Sequence, residues 1–295
     1  MTELSQLVAD ELGTAVDPRV TAMAAAIAAR FGPASRAVLF YGSCLREDNL
    51  DGLMLDFYLI VSDYAAAYGK GWKSFANAML PPNVFPFEHD GLASKVAVLS
   101  DNDFHRLNGP ETSNVSVWAR FAQPSRLVWA ADDVAREKAV AAVARAAPTL
   151  LWAAQPLSEA APADDSLALW RDAFALTYGA ELRAERKDKG GSVVDADPAR
   201  YRAFMPPAIA AIDRPLLSRE AAERAWVRRR REGKLLTLAR LAKATTTYAG
   251  GVDYLAWKIS RHSGMKVDLK PWQRRHPIMG ALSLLPRLIW SGAIR

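Results

Sequence analysis

Three residues near the start of the chain have types and a spacing that could bind a nucleotide. Gly42 and Ser43 end the apolar run AVLFYGS (37–43), and Asp56 lies within a second apolar run, MLDFYLIV (54–61). Glycine lets backbone N–H groups approach a phosphate closely, and an aspartate can bind Mg²⁺, which prefers oxygen ligands. A metal held there could bind the attacking oxygen and the α-phosphate together and stabilise leaving pyrophosphate. The spacing therefore predicts a magnesium-dependent nucleotidyl-transfer site.

Asp56 is the stronger signal, because a carboxylate in an apolar run costs free energy unless it is paired or bound to a metal. The alternative for Asp56 is an ion pair with a core arginine, and for Gly-Ser it is an ordinary turn. The order of these features resembles the pattern of the polymerase-β-like nucleotidyltransferases, in which a strand is followed by Gly-Ser, a spacer and a second strand that bears an aspartate. Such sites usually have a second acid two residues on, where this chain has Tyr58, so Asp63 becomes the first candidate for a second metal ligand. Further candidates are Asp48, Asp51 and Glu88.

The pattern of apolar residues predicts an α+β nucleotidyltransferase domain, a mixed sheet with helices, over residues 1–132. Its predicted strands are 37–43, 54–61, 84–88, 95–99 and 125–129. Its predicted helices are 3–31 with a start at Asp17-Pro18, 64–80, and a short helix from Ser100-Asp101. His89-Asp90-Gly91 is expected to form the turn between the third and fourth strands.

Two further segments follow this first domain. Residues 133–265 read as a mostly α-helical second domain. Its predicted helices are 134–147, 166–187 and 218–248, the last with a break near Gly233. Residues 266–295 are a basic and apolar C-terminal tail, which is too interrupted to span a bilayer and is expected to associate with a membrane surface. The alternative for the tail is a helix docked on the protein's own core.

The residues of the tail that are expected to contact the membrane are two arginines and four residues of the apolar stretch that follows them. They are Arg274, Arg275, Leu285, Leu288, Ile289 and Trp290. The formal charge of +6 and the pI of about 9.5 favour an anionic partner. The single cysteine, Cys44, excludes an internal disulfide and indicates a reducing compartment.

Four segments in series resemble one family. YGS…MLDFYLIVSD resembles the motif YGSG…LDFxFxVDD of the mitochondrial phosphatidate cytidylyltransferases, also called translocator assembly and maintenance proteins. SKVAVLS (94–100), SVWARFAQPSRLVW (116–129) and LTYGAELR (176–183) are similar, in order, to further family segments. Cys44 stands where the family has glycine, and the C-terminal third matches poorly.

The resemblance implies that CTP binds with Mg²⁺ as the cofactor and that phosphatidic acid attacks it, giving CDP-diacylglycerol and pyrophosphate. It implies catalytic roles for Asp56 and Lys95, and a metal site of Asp56 and Asp63. The expected nucleotide-binding residues are Tyr41, Gly42, Ser43, Arg120 and Arg183. For Lys95 and the two arginines, the alternative is a structural salt bridge.

The expected location is cytoplasmic, peripheral on the inner face of a membrane, with an anionic lipid surface and no nucleic acid as partner. Two other functions stay open. One is a nucleotidyltransferase that acts on RNA or a small molecule. The other is a non-catalytic lipid- or nucleic-acid-binding protein with a degenerate nucleotidyltransferase fold.

Overall fold

The protein is an α+β fold built around a mixed five-stranded sheet, as the sequence predicts. The computed structural model describes residues 2–47, 49–160, 165–180, 193–247 and 270. The strands are β1 Ser35–Tyr41, β2 Met54–Val61, β3 Asn83–His89, β4 Leu92–Ser100 and β5 Ser125–Ala130. They lie in the order β3-β4-β2-β1-β5. β2 and β4 are parallel, whereas the pairs β1–β2, β1–β5 and β3–β4 are antiparallel.

Helices cover both faces of this sheet. Up to β5 they are α1 Glu3–Leu12, α2 Pro18–Phe31, α3 Tyr64–Tyr68, α4 Trp72–Met79, α5 Asp101–Asn108 and α6 Trp118–Phe121. After β5 they are α7 Asp133–Ala144, α8 Ala146–Ala154, α9 Ser166–Tyr178, α10 Pro198–Ala210 and α11 Arg219–Thr247. Within the described ranges, no helix has the length and apolarity needed to cross a membrane.

Local signals in the sequence explain several of these boundaries. The Asp17 carboxylate accepts from the Arg19 N–H at the start of α2, where proline is the first helical residue. The Ser100 hydroxyl caps α5 in the same way. Asp90 and Gly91 both have positive φ, of 47° and 77°, as the tight turn of the β3–β4 hairpin requires. The two predicted helix starts and the predicted hairpin turn are therefore confirmed.

The two faces of the sheet have separate apolar cores. On one face α2 packs through residues such as Met23 and Ile27 against β1 and β2. The other core joins Leu39 of β1 to Trp118 of α6 and to Trp226 of α11. Residues before and after position 132 in the sequence thus contribute to the same core. The domain boundaries remain predictions from the sequence.

Glycines explain one helix break that the sequence analysis missed and one that it predicted wrongly. The predicted helical stretch 3–31 is two helices, of which the second begins at the predicted start, Asp17-Pro18. The stretch 64–80, predicted as one helix, is two helices that separate at Gly69. The predicted break near Gly233 is wrong, because α11 continues through it. A Cβ at Gly233 would lie 2.2 Å from the Ala180 carbonyl oxygen, so this glycine permits close packing rather than ending a helix. Helices α8 and α10 were not predicted as separate elements.

A buried ion pair fixes the segment that leads from α6 into β5. Arg200 of α10 pairs with Glu11 of α1, and their side chains are only 7% and 13% exposed. Arg200 also donates to the Ala122 carbonyl, 3.1 Å away. Removing one partner of such a pair leaves an uncompensated buried charge, so the contact holds α1, α10 and the α6–β5 connection together.

Candidate active site

Three neighbouring strands bring Tyr41, Asp56 and Lys95 into one row across the sheet. Tyr41 faces Asp56 in the β1–β2 pair, and Asp56 is in register with Lys95 in the β2–β4 pair. Directly paired residues project to the same side of a sheet, so the three side chains are neighbours. Lys95 Nζ lies 3.8 Å from Asp56 Oδ1, and each side chain is 33% exposed. The row therefore places a half-buried carboxylate beside a cation.

Gly42 begins the turn that follows β1 and runs close to this carboxylate. Its φ of 97° and ψ of −167° fall in a region that is essentially restricted to glycine. A Cβ on Gly42 would lie 3.4 Å from Asp56 Oδ2. Ser43 follows, exposed, at the start of a short 3₁₀ turn in which the Leu45 N–H donates to the Gly42 carbonyl over 3.3 Å. The turn thus brings its backbone to Asp56 where a larger residue would be strained.

The Tyr41 hydroxyl connects the row to a second cation. Burial raises the pKa of Tyr41 well above its ordinary value, and the Asp56 charge adds to the rise. The phenol therefore stays protonated, and the Arg120 guanidinium is hydrogen-bonded to it. Arg120 also donates to the Ser116 carbonyl within its own turn. The structure thus brings together five of the predicted site residues, namely Tyr41, Gly42, Asp56, Lys95 and Arg120.

Cys44 is buried next to the same carboxylate. Its thiol lies 3.6 Å from the Met54 carbonyl oxygen, to which it donates. Burial, and next the charge of Asp56, raise the pKa of the thiol. Because the thiolate is the reactive form, Cys44 is a packing residue at this position rather than a nucleophile.

The structure does not bring the two predicted metal ligands together. Asp63 follows the far end of β2 and caps α3, where its carboxylate accepts from the Ala66 N–H over 2.8 Å. Asp56 lies near the beginning of the same strand. At about 3.3 Å per residue, the seven residue steps from Asp56 to Asp63 span on the order of 20 Å. One Mg²⁺ ion therefore cannot be bound by both carboxylates.

Of the other acidic candidates, those in the described residues are exposed. Asp51 is exposed and pairs with Arg19 over 2.8 Å, and Glu88 is exposed on β3. Asp48 is outside the described residues. In the part of the chain that the structure describes, no group of three His, Cys, Asp or Glu side chains could hold a metal. Mg²⁺ is often bound by one or two carboxylates together with water and substrate phosphates, and a single half-exposed Asp56 fits that mode.

Two further cations near the site were not predicted. Arg240 of α11 donates to the Pro81 carbonyl over 2.9 Å and to the Ser116 hydroxyl over 3.2 Å. Lys243 donates to the Pro82 carbonyl over 2.9 Å, and burial, followed by the charge of Arg240, lowers its pKa to about 7. Ser116 is thus shared by Arg120 and Arg240. The sequence signal for this pair is weak, because it consists only of two cations three residues apart on an acid-free helical stretch.

Several predicted residues cannot be placed relative to this row. Outside the described residues are Arg183 and the tail residues Arg274, Arg275, Leu285, Leu288, Ile289 and Trp290. A cavity of about 200 Å³ lies elsewhere, with Trp152, Arg145 and Arg214 in its lining. None of the predicted site residues lines that cavity, so it does not extend the row at Asp56.

Comparison with known proteins assigns no family to the chain. No protein-family model matches it. No curated protein matches it either. The residues around Asp56 and the motif resemblance are therefore the grounds for a functional assignment.

Proposed function

We propose that the chain is a magnesium-dependent nucleotidyltransferase with a polymerase-β-like fold, and that it transfers CMP from CTP to phosphatidic acid. The observation that supports this best is the approach of the Gly42 backbone to the Asp56 carboxylate, with Lys95 on the other side. Backbone N–H groups of a turn, a carboxylate and a cation are what a metal-bound triphosphate needs at one place. The α+β sheet supplies all three from adjacent strands.

The proposed roles follow from charge and position. Asp56 and the nucleotide phosphates would hold Mg²⁺, which would supply neutralisation of the charge that develops on the transferred phosphate. Lys95 and Arg120 hold phosphate oxygens, and arginine offers two parallel hydrogen bonds. Gly42 and Ser43 orient the triphosphate through the backbone and the exposed hydroxyl. These residues act by positioning and by charge neutralisation.

The reaction itself needs no strong general base. An oxygen of the phosphatidic acid phosphate, already ionised near neutral pH, attacks the α-phosphorus of CTP. A new phosphorus–oxygen bond forms, the bond from the α-phosphorus to the bridging oxygen breaks, and pyrophosphate leaves with the electron pair. The products are CDP-diacylglycerol and pyrophosphate, which is the chemistry that the motif resemblance implies.

The choice of a lipid acceptor rests on the resemblance and on the basic character of the chain. A net charge of +6 favours an anionic surface over a neutral one. We therefore place the protein in the cytoplasm, peripheral on the inner face of a membrane, with the tail at residues 266–295 contributing to attachment. Nucleic acid is not a partner in this proposal.

One contact favours a second candidate function. The Asp56–Lys95 ion pair, at 3.8 Å, satisfies the carboxylate without a metal. A non-catalytic protein that binds lipid phosphate or nucleotide at this row would keep the same contact. Such a protein would bind ligand and release no pyrophosphate, so turnover separates the two functions.

The test is pyrophosphate release by the full chain. The protein is mixed with each of the four nucleoside triphosphates, Mg²⁺ and phosphatidic acid in detergent micelles. Asp56→Asn is the active-site variant, and Asp63→Asn, just past the other end of β2, is the matched control. We expect release with CTP and lipid together, loss in Asp56→Asn and retention in Asp63→Asn. Folded protein that releases no pyrophosphate with any nucleotide would overturn the proposed function.

A further inference from the structure

Helix α4 carries large apolar side chains that point into solvent. Trp72, Phe75 and Met79 are 54%, 69% and 70% exposed. Their spacing of three and four residues places them along one face of the helix. Scattered exposed apolar residues are common, but a contiguous aromatic face usually marks a binding surface.

The opposite side of this helix is fixed to the sheet. Asn77 is fully buried, and its side-chain amide donates to the Val98 carbonyl of β4 over 3.1 Å. Immediately after α4, Lys243 of α11 donates to the Leu80 carbonyl. Just before it, the Tyr64 hydroxyl of α3 donates to Asp103 over 2.6 Å. With these contacts in place, α4 cannot rotate its apolar face inward.

The segment that carries the apolar face has a positive charge. Residues 64–87 contain no Asp or Glu, and their charged residues are Lys70 and Lys73. Lys70 is exposed, two residues before Trp72. An exposed Trp beside lysine on a helix with an apolar face is the arrangement found where proteins lie in the headgroup region of a bilayer.

We infer that α4 is a membrane-docking surface, on which Trp72, Phe75 and Met79 enter the headgroup region of an anionic bilayer. Charge distinguishes an anionic bilayer from the two other possible occupants of this surface, namely the chain's own residues 248–295 and a second copy of the protein. The chain's own residues 248–295 contain eight Lys and Arg against two Asp, a net charge of +6, so they would meet the lysines of 64–87 with like charge. A second copy of α4 would also bring like charge. Anionic lipid is complementary to the surface, and the inference rests on the proposed function only for the choice of phosphatidic acid as that lipid.

Vesicle sedimentation of the full chain without nucleotide tests this surface. We expect the wild type to bind vesicles that contain phosphatidic acid or phosphatidylserine more tightly than vesicles of phosphatidylcholine alone. The double variant Trp72→Ser/Phe75→Ser should bind anionic vesicles about tenfold more weakly or worse, because two inserted aromatic rings are lost. Lys70→Glu should weaken binding to anionic vesicles and leave binding to neutral ones unchanged.

The matched control is Val134→Ser/Leu216→Ser, which removes two apolar residues that are exposed elsewhere, on α7 and before α11. This control should bind as the wild type does. Equal binding by the wild type and the α4 variant would overturn the inference, as would a wild type that binds no vesicle. A wild-type dimer that the α4 variant loses would assign the surface to a second copy instead.

The outcome can be separated from that of the proposed function. Pyrophosphate release with a short-chain, water-soluble phosphatidic acid does not require docking, so the α4 variant should keep the wild-type rate there and lose it with vesicles. If vesicle binding depends on α4 but the protein releases no pyrophosphate, the docking surface is supported and only the proposed enzymatic function is overturned.

Discussion

Two aspartates at opposite ends of β2, Asp56 and Asp63, have different surroundings. Asp56, near the start of β2, lies between the Gly42 turn and Lys95, and Tyr41 faces it from β1. Asp63, just past the end of β2, accepts from a backbone N–H and caps a short helix. The first environment suits a ligand that brings its own phosphates and metal. The second satisfies the carboxylate within the protein.

The contrast shows that the residue type alone does not define a metal ligand. Asp56 lies within the apolar run of β2 and Asp63 follows it, and the motif resemblance predicts metal binding by both. What separates them is the antiparallel pairing with β1 and the parallel pairing with β4, which bring a glycine and a lysine to one end of β2. Substitutions at the two ends should therefore have different effects.

Asp56→Asn should have the largest effect. If the proposed function holds, it removes the carboxylate that binds the metal, a loss of several kcal/mol or about a thousandfold in turnover. The measurement is the rate of pyrophosphate release with CTP and phosphatidic acid. Asp63→Asn, which keeps a capping side chain, should retain the wild-type rate. A similar loss in both variants would break the distinction between the two ends.

Lys95→Met should lower turnover by about a hundredfold, as expected when one charge-stabilising donor is removed from a transition state. Steady-state kinetics should show the loss mainly in kcat. The matched control is Lys138→Met, since Lys138 forms an ordinary ion pair with Asp101 over 3.3 Å on another surface. If the turnover of Lys95→Met equalled that of Lys138→Met, Lys95 would only neutralise the charge of Asp56.

Gly42→Ala and Gly69→Ala form a matched pair of strained variants. Both glycines have φ near +70° to +100° and an extended ψ, so alanine at either should cost about 1–3 kcal/mol of stability. A Cβ at Gly69 meets nothing within 4 Å, whereas at Gly42 it meets Asp56. Thermal melting should show similar destabilisation, and turnover should fall only in Gly42→Ala. Equal turnover in the two variants would count against a substrate role for the Gly42 turn.

Asp63→Ala should have the smallest effect. It removes an N-cap and should cost about 1 kcal/mol of unfolding free energy. Urea denaturation measures that change, and the pyrophosphate assay should show no change in turnover at saturating Mg²⁺. A raised Mg²⁺ requirement in this variant would return Asp63 to the metal site.

Local patterns in the sequence predicted much of the sheet. The run 54–61 matches β2 because eight residues without a breaker read plainly as a strand. The hairpin turn was predicted because Asp90-Gly91 takes positive φ readily. The split of 64–80 at Gly69 was missed, since an isolated glycine can also remain inside a helix.

The candidate site depends on contacts that no local pattern contains. Gly42 and Asp56 were found because they lie on consecutive strands. Lys95 came only from the motif resemblance, because a parallel β2–β4 pairing crosses a long connection. Arg240 contacts Pro81, 159 residues away, and the helix that brings it there was noted in the sequence only for its arginine run.

The most direct test of the account is metal-dependent nucleotide binding at the Asp56 end of β2. Isothermal titration calorimetry would measure a CTP analogue with a non-hydrolysable α,β-bridge against the wild type, Asp56→Asn and Asp63→Asn, with and without Mg²⁺. We predict that the wild type and Asp63→Asn bind the CTP analogue with the same Kd and need Mg²⁺ to do so. For Asp56→Asn, we predict that Mg²⁺ no longer strengthens binding of the analogue. Mg²⁺-dependent binding by Asp56→Asn with the wild-type Kd would contradict the account.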